Sequence, residues 1–230
     1  MKGFGEQHKS KKKSKKKTKS SKEQIINQAF QFHSQGNIAE ATKYYQNLIS
    51  QGCNDHRVFS NYGIILKDLG KLQEAEISYH KAIELNPDVA EAHYNLGIIL
   101  NDLGKSQDAE ISYRKAIEIK PNYVEAHSNL GNVLKDLGKS QDAEISYRKA
   151  IEIKPDYAEA HSNLGNVLKD LGKLQNAEIS YRRAIELNPD FAEAHSNLGV
   201  LLRILGKSQD AILCSEKIMS LRSWSILGSY

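Results

Sequence analysis

The sequence predicts an all-α chain built from stacked helix–turn–helix repeats, and three observations carry that prediction. Pro87, Pro121, Pro155 and Pro189 stand 34 residues apart and are all the prolines in the chain. Gly36, Gly70, Gly104, Gly138, Gly172 and Gly206 keep the same period, as do Ala41, Ala75, Ala109, Ala143, Ala177 and Ala211. Within each period the apolar residues fall at helical spacing. Self-similarity at such a period marks an array in which each unit buries its apolar face on its neighbours. With proline at position 32, six repeats follow: 22–55 (divergent), 56–89, 90–123, 124–157, 158–191 and 192–225.

Each repeat reads as two helices. Helix A occupies positions 2 to 14 and ends at the glycine of position 15, which can take a positive φ and close the helix. Helix B ends before the Asn86-Pro87 step and its equivalents, because proline disfavours helix in the residue before it. At 100° per residue, positions 4, 7, 8 and 11 of helix A form one stripe, as in Phe59, Tyr62, Gly63 and Leu66. Positions 20, 24, 27 and 28 form the matching stripe of helix B, as in Ala75, Tyr79, Ala82 and Ile83. Glycine at position 8 and alanine at position 20 let the two helices approach closely.

Composition bounds the rest. The net charge of +4 joins unlike parts: residues 1–22 carry ten Lys and one Glu, a charge of +9, and residues 23–230 carry −5. Residues 1–21 lack the apolar content that would offset their ordering entropy and are expected to be a disordered, lysine-rich tail. Such a tail is either a solvated segment or a weak, salt-sensitive contact for nucleic acid or an anionic membrane, with no aromatic stacking to make it specific. No apolar region follows the lysines to make a signal peptide, and no run reaches the roughly 20 residues of a membrane span. Cys53 and Cys214 form no CxxC, which argues against a disulfide framework and a thiolate zinc site. A cytoplasmic location is expected.

The residues at these positions resemble the tetratricopeptide repeat, whose 34-residue unit carries large residues, Leu, Gly, Ala, an aromatic, Ala and Pro at the same places. The resemblance covers about 200 residues and fades after Ala211, where Ser215, Ile218 and Ser223 replace the tyrosine, alanine and proline. It implies an α-α right-handed superhelical solenoid whose A helices line a concave groove that binds peptides or proteins. It implies a non-catalytic scaffold with no cofactor. With only Leu221–Tyr230 beyond the last pattern, the array is poorly capped, and self-association through that end is a further expectation.

The polar side of helix A is the candidate binding surface. Positions 2, 6, 9 and 13 cluster there, and position 6 is Asn27, Asn61, Asn95, Asn129, Asn163 and Asn197. An amide both donates and accepts, so it can pair with an extended backbone without reading side chains. Residues 108–121 and 142–155 are identical, so recurrence among the later repeats is not independent evidence. The first repeat keeps only six positions of the second, and Asn27 is the one among them with no packing or turn role that also sits on this face. The alternative is that these amides bond locally between helices. Asp68, Asp102, Asp136 and Asp170 at position 13 and Glu91, Glu125, Glu159 and Glu193 at position 2 add a preference for basic peptides; Lys67, Lys135 and Lys169 stand at the edge. The asparagine row is similar to the one lining the repeat superhelix of O-linked N-acetylglucosamine transferases. That resemblance gives a second reading, the substrate-recognition part of a transferase, although 230 residues of repeats and tail leave no room for a catalytic domain.

Other motifs point elsewhere than to chemistry. Gly104-Lys105-Ser106 lacks the glycine five residues earlier that a phosphate loop needs; Ile99 stands there. His93, His127, His161 and His195 occupy the buried position 4 and read as packing residues rather than metal ligands. The position-24 tyrosines read as core. No nucleophile–base pair stands out.

Overall fold

The computed structural model describes residues 22–227 of the chain; the lysine-rich tail and residues 228–230 lie outside them. Among the described residues there are twelve helices and no strand. They are α1 (22–34), α2 (Ile38–Ser50), α3 (His56–Asp68), α4 (Leu72–Leu85), α5 (Ala90–Asp102) and α6 (Ser106–Ile119). Then come α7 (Val124–Asp136), α8 (Ser140–Ile153), α9 (Ala158–Asp170), α10 (Leu174–Leu187), α11 (Ala192–Ile204) and α12 (Ser208–Leu227). The backbone groups into two compact units, one up to Leu103 and one from Gly104 onward. None of the described helices is long and apolar enough to cross a membrane.

Each A helix stops the same way. In α3 the Gly70 N–H donates to the Lys67 carbonyl at 2.8 Å and the Lys71 N–H donates to the Leu66 carbonyl at 2.8 Å. This paired closure needs a left-handed residue, and Gly70 has φ 72°. The B helices α4, α8 and α10 stop at an extended residue, such as Asn86 at φ −148° before Pro87. Ser223 stands where proline ends the others, and α12 runs on to Leu227, beyond the expected repeat boundary at 225.

Hairpins pack through a glycine–tyrosine contact. In the C-terminal unit, a Cβ at Gly131 would lie 2.7 Å from Tyr147 Cζ, and one at Gly165 would lie 2.6 Å from Tyr181 Cε1. The tyrosine rings therefore lie on helix A backbone that only glycine leaves bare. The N-terminal unit repeats this with Gly63 and Tyr79. Tyr147 and Tyr181 are fully buried, as are Ala143 and Ala177 of the helix B stripe. The first repeat has an aromatic cluster instead: Phe30, and Tyr62 from the second repeat, pack tilted against Tyr45 with ring centroids 6.2 Å apart, and Ala29, which stands at the glycine position, is buried.

Neighbouring hairpins of the C-terminal unit are joined by ion pairs. Glu110 accepts from Lys139 at 2.7 Å, Glu144 from Lys173 at 2.6 Å and Glu178 from Lys207 at 2.8 Å. Arg114, Arg148 and Arg182 hold the same carboxylates from one turn along their own helices. Each glutamate side chain is only 12% exposed, so its partners replace most of its water.

The four histidines have a structural task. Nε2 of His127 lies 2.9 Å from the Pro121 carbonyl oxygen, and His161 and His195 make the same bond to Pro155 and Pro189 at 3.0 Å. In the N-terminal unit His93 does so with Pro87 at 2.9 Å. Each ring ties the proline turn to the first turn of the following A helix, as a packing residue would.

Candidate peptide-binding face

The polar sides of α7, α9 and α11 build this face in the C-terminal unit, where α9 packs directly on both of the others. Asn129, Asn163 and Asn197 are half-buried on them, and Asp136 and Asp170 are exposed at the helix ends. Glu125, Glu159 and Glu193 are exposed in the first turns. There they also suit the positive end of the helix dipole.

The asparagine of position 6 is not alone. Asn163 Nδ2 donates to Asn132 Oδ1 at 3.3 Å, bridging α9 to α7. The same oxygen accepts the Tyr147 hydroxyl from α8. Asn166 Oδ1 likewise accepts the Tyr181 hydroxyl at 2.7 Å. Burial raises the pKa of Tyr147 well above the ordinary tyrosine value, and the charge of Asp136 adds to the shift. Burial does the same for Tyr181, with Asp170 and then Glu193 adding. Both hydroxyls therefore stay protonated and remain donors.

Asn132 and Asn166 at position 9 were not singled out by the repeat pattern. Position 9 lies on the polar stripe, but it holds Ile64, Ile98 and Val200 in other repeats, so no recurrence marked it. The tyrosines read as core from their spacing. Their rings are core, while their hydroxyls reach the polar face.

In the N-terminal unit the face is assembled differently. Asn61 Nδ2 donates to the Arg57 carbonyl at 2.8 Å, a bond within its own helix. The bonding between helices that the sequence left open is instead the bond Asn163 makes to Asn132. Asn27 is exposed and Asn95 half-buried. Asp68 and Asp102 are exposed, and the Lys67 ammonium lies 3.7 Å from Asp68. Position 2 of α3 is Arg57 rather than an acid. It bonds Asp55 at 2.6 Å and Glu23 at 3.0 Å and lies over the Phe30 ring. The Arg57 guanidinium holds the Asp55 carboxyl below the usual range, so that pair stays ionised.

Residues 26–153 match the model of the cilia and flagella-associated protein 70 middle TPR-like domain. Residues 165–206 match a TPR repeat model and 146–179 a second tetratricopeptide repeat model. No curated protein matches the sequence. Among solved structures, MamA is similar at 24% identity and a TM-score of 0.68, over 71% of this chain and 96% of that one. YrrB, described as a TPR protein with an unusual peptide-binding site, is similar at 23% identity and a TM-score of 0.66, over 78% of this chain and 92% of that one. A tetratricopeptide repeat protein from Parabacteroides merdae reaches a TM-score of 0.74 at 22% identity, over 87% of this chain and 80% of that one. At these identities the likeness is one of fold.

Proposed function

The chain belongs to the tetratricopeptide-repeat family, and from that premise we propose that it is a non-catalytic scaffold which holds extended protein segments on the polar sides of its A helices. The observation that carries the reading is the Tyr147–Asn132–Asn163 network. It uses one Nδ2 hydrogen of Asn163 and leaves the amide oxygen and the second N–H for a ligand. Neighbouring packed helices stand about 8–10 Å apart. An extended chain advances ~3.3 Å per residue. One asparagine thus meets the ligand backbone about every third residue, which holds it without dictating its sequence. Asp136, Asp170 and the three glutamates favour a ligand with lysine or arginine in it. The peptide-binding site described for the structurally similar YrrB is consistent with this use of the fold. A cytoplasmic location, as the two free thiols suggest, goes with the reading.

The test uses a lysine-containing, unstructured peptide selected from a display library on the full chain. Methylating one central backbone nitrogen should weaken it about tenfold, the loss of one well-placed hydrogen bond. Shuffling its side chains at constant charge should cost less than about threefold. The reverse pattern, tolerance of methylation and intolerance of shuffling, overturns backbone recognition.

A further inference from the structure

The B helices of the C-terminal unit carry an apolar row on the side away from their A partners' polar face. Ile111, Ile145 and Ile179 are each 66% exposed and Leu213 is 57% exposed, one on each of α6, α8, α10 and α12. They share position 22, so they recur at the repeat period. A large aliphatic side chain left this open four times over is a feature of a contact surface rather than scattered surface hydrophobicity.

Beside the row run two apolar crevices of matching build. One, of about 360 Å³, is lined by Ile151, His161, Leu164 and Ile179. The next, of about 330 Å³, is lined by Ile185, His195, Leu198 and Leu213. They arise because successive A helices pack on each other while successive B helices stand apart. Each crevice has a knob at its edge, and knobs and crevices repeat with one spacing. Arg148, Glu152 and Arg183 border the first, and Arg182, Glu186 and Asp210 the second, so both signs of charge are present on both rims.

We infer that this face is the interface of a homodimer, in which a second copy packs its B-helix row into these crevices about a two-fold axis. Three features select a second copy as occupant. It brings knobs at the spacing of the crevices by construction. A foreign helix seated in one crevice reaches the single knob at its edge, Ile179 or Leu213, and leaves Ile111 and Ile145 outside. A two-fold contact is self-complementary, and the rim charges already pair within each chain, Arg182 with Glu178 and Asp210 and Arg183 with Glu186, so an identical rim can cover them without stranding a lone charge. The size is adequate too. Four helices at least about 10 Å apart and about 20 Å long make a face of at least roughly 30 by 20 Å, which approaches the ~800 Å² per partner of a stable interface. This surface lies apart from the polar A-helix face, so peptide binding and pairing can be measured separately.

Sedimentation equilibrium of the full chain from about 1 to about 200 µM tests it. The wild type should dimerise in that range. The combined substitution Ile111→Glu, Ile145→Glu and Ile179→Glu should raise the dimer dissociation constant by at least about a hundredfold, with the helical circular dichroism and melting temperature retained. A single Ile145→Glu should give an intermediate shift, which separates a surface effect from misfolding. A wild type that stays monomeric at the top concentration overturns the inference and leaves the row to a different protein. A dimer that survives the triple substitution also overturns it.

Discussion

Gly131 and Gly199 stand at the same position of their repeats and face different neighbours. A Cβ at Gly131 would sit 2.7 Å from the Tyr147 ring, which is wedged in the core. A Cβ at Gly199 would meet Cys214 Cβ at 3.3 Å and the Ala211 carbonyl oxygen at 3.8 Å, with no ring in the way, because Ser215 stands where the tyrosine would be. Gly131→Ala should therefore lose about 1–3 kcal/mol to overpacking, against a helix-propensity gain of ~1 kcal/mol. Gly199→Ala keeps the gain with little clash and should be neutral or stabilising by up to about 1 kcal/mol. Urea unfolding of the two variants checks the contrast, and equal effects would contradict the assigned contact. The same residues show how far the sequence could be read. Close approach at position 8 was legible from the glycine itself. That the approaching group is the tyrosine ring, with its hydroxyl carried through to Asn132, was not, because periodicity assigns a side chain to one face and an aromatic with a polar tip spans two.

At the scale of the helix pair, the glutamate of position 21 joins one hairpin to the next. Hydrogen bonding from Lys139 holds the Glu110 carboxyl below the ordinary carboxylate value, and Lys207 does the same for Glu178. For Glu144 partial burial works the other way, but the bonds from Lys173 and Arg148 outweigh it. A folded-state pKa below the unfolded one gives stability that is present above the unfolded value, near 4.5, and is lost as pH falls through the folded value. The partners are about half exposed, so salt weakens each link. Unfolding midpoints of the wild type should thus fall as the pH drops from about 5 toward 3, and the combined Glu110→Gln, Glu144→Gln and Glu178→Gln variant should show a shallower fall. Parallel acid limbs would contradict the role given to these pairs. Helix positions were readable from glycine and proline alone, since each acts through the backbone conformation it permits or forbids. The ion pairs were not, because Glu110 and Lys139 stand 29 residues apart and meet only once the hairpins stack. The length of α12 was hidden for a related reason: losing a proline removes a stop without specifying a new one.

For the whole molecule, the central claim is that a row of amides holds a ligand by its backbone. The asparagines were visible as a repeated polar residue on the polar side of helix A, with Asn27 as the independent instance. What the repeat alone left undecided was local pairing against presentation. Asn61 pairs within its own helix, and Asn163 makes the between-helix bond with one of its two Nδ2 hydrogens. The decisive measurement therefore belongs to the C-terminal unit, where Asn129, Asn163 and Asn197 stand on α7, α9 and α11. The affinity of the selected lysine-containing peptide is measured by calorimetry for the full chain and for the combined Asn129→Ala, Asn163→Ala and Asn197→Ala variant. Three lost bonds at about 0.5–1.5 kcal/mol each predict a weakening of at least tenfold, with the helical content unchanged. Undiminished affinity in the folded variant would contradict the account.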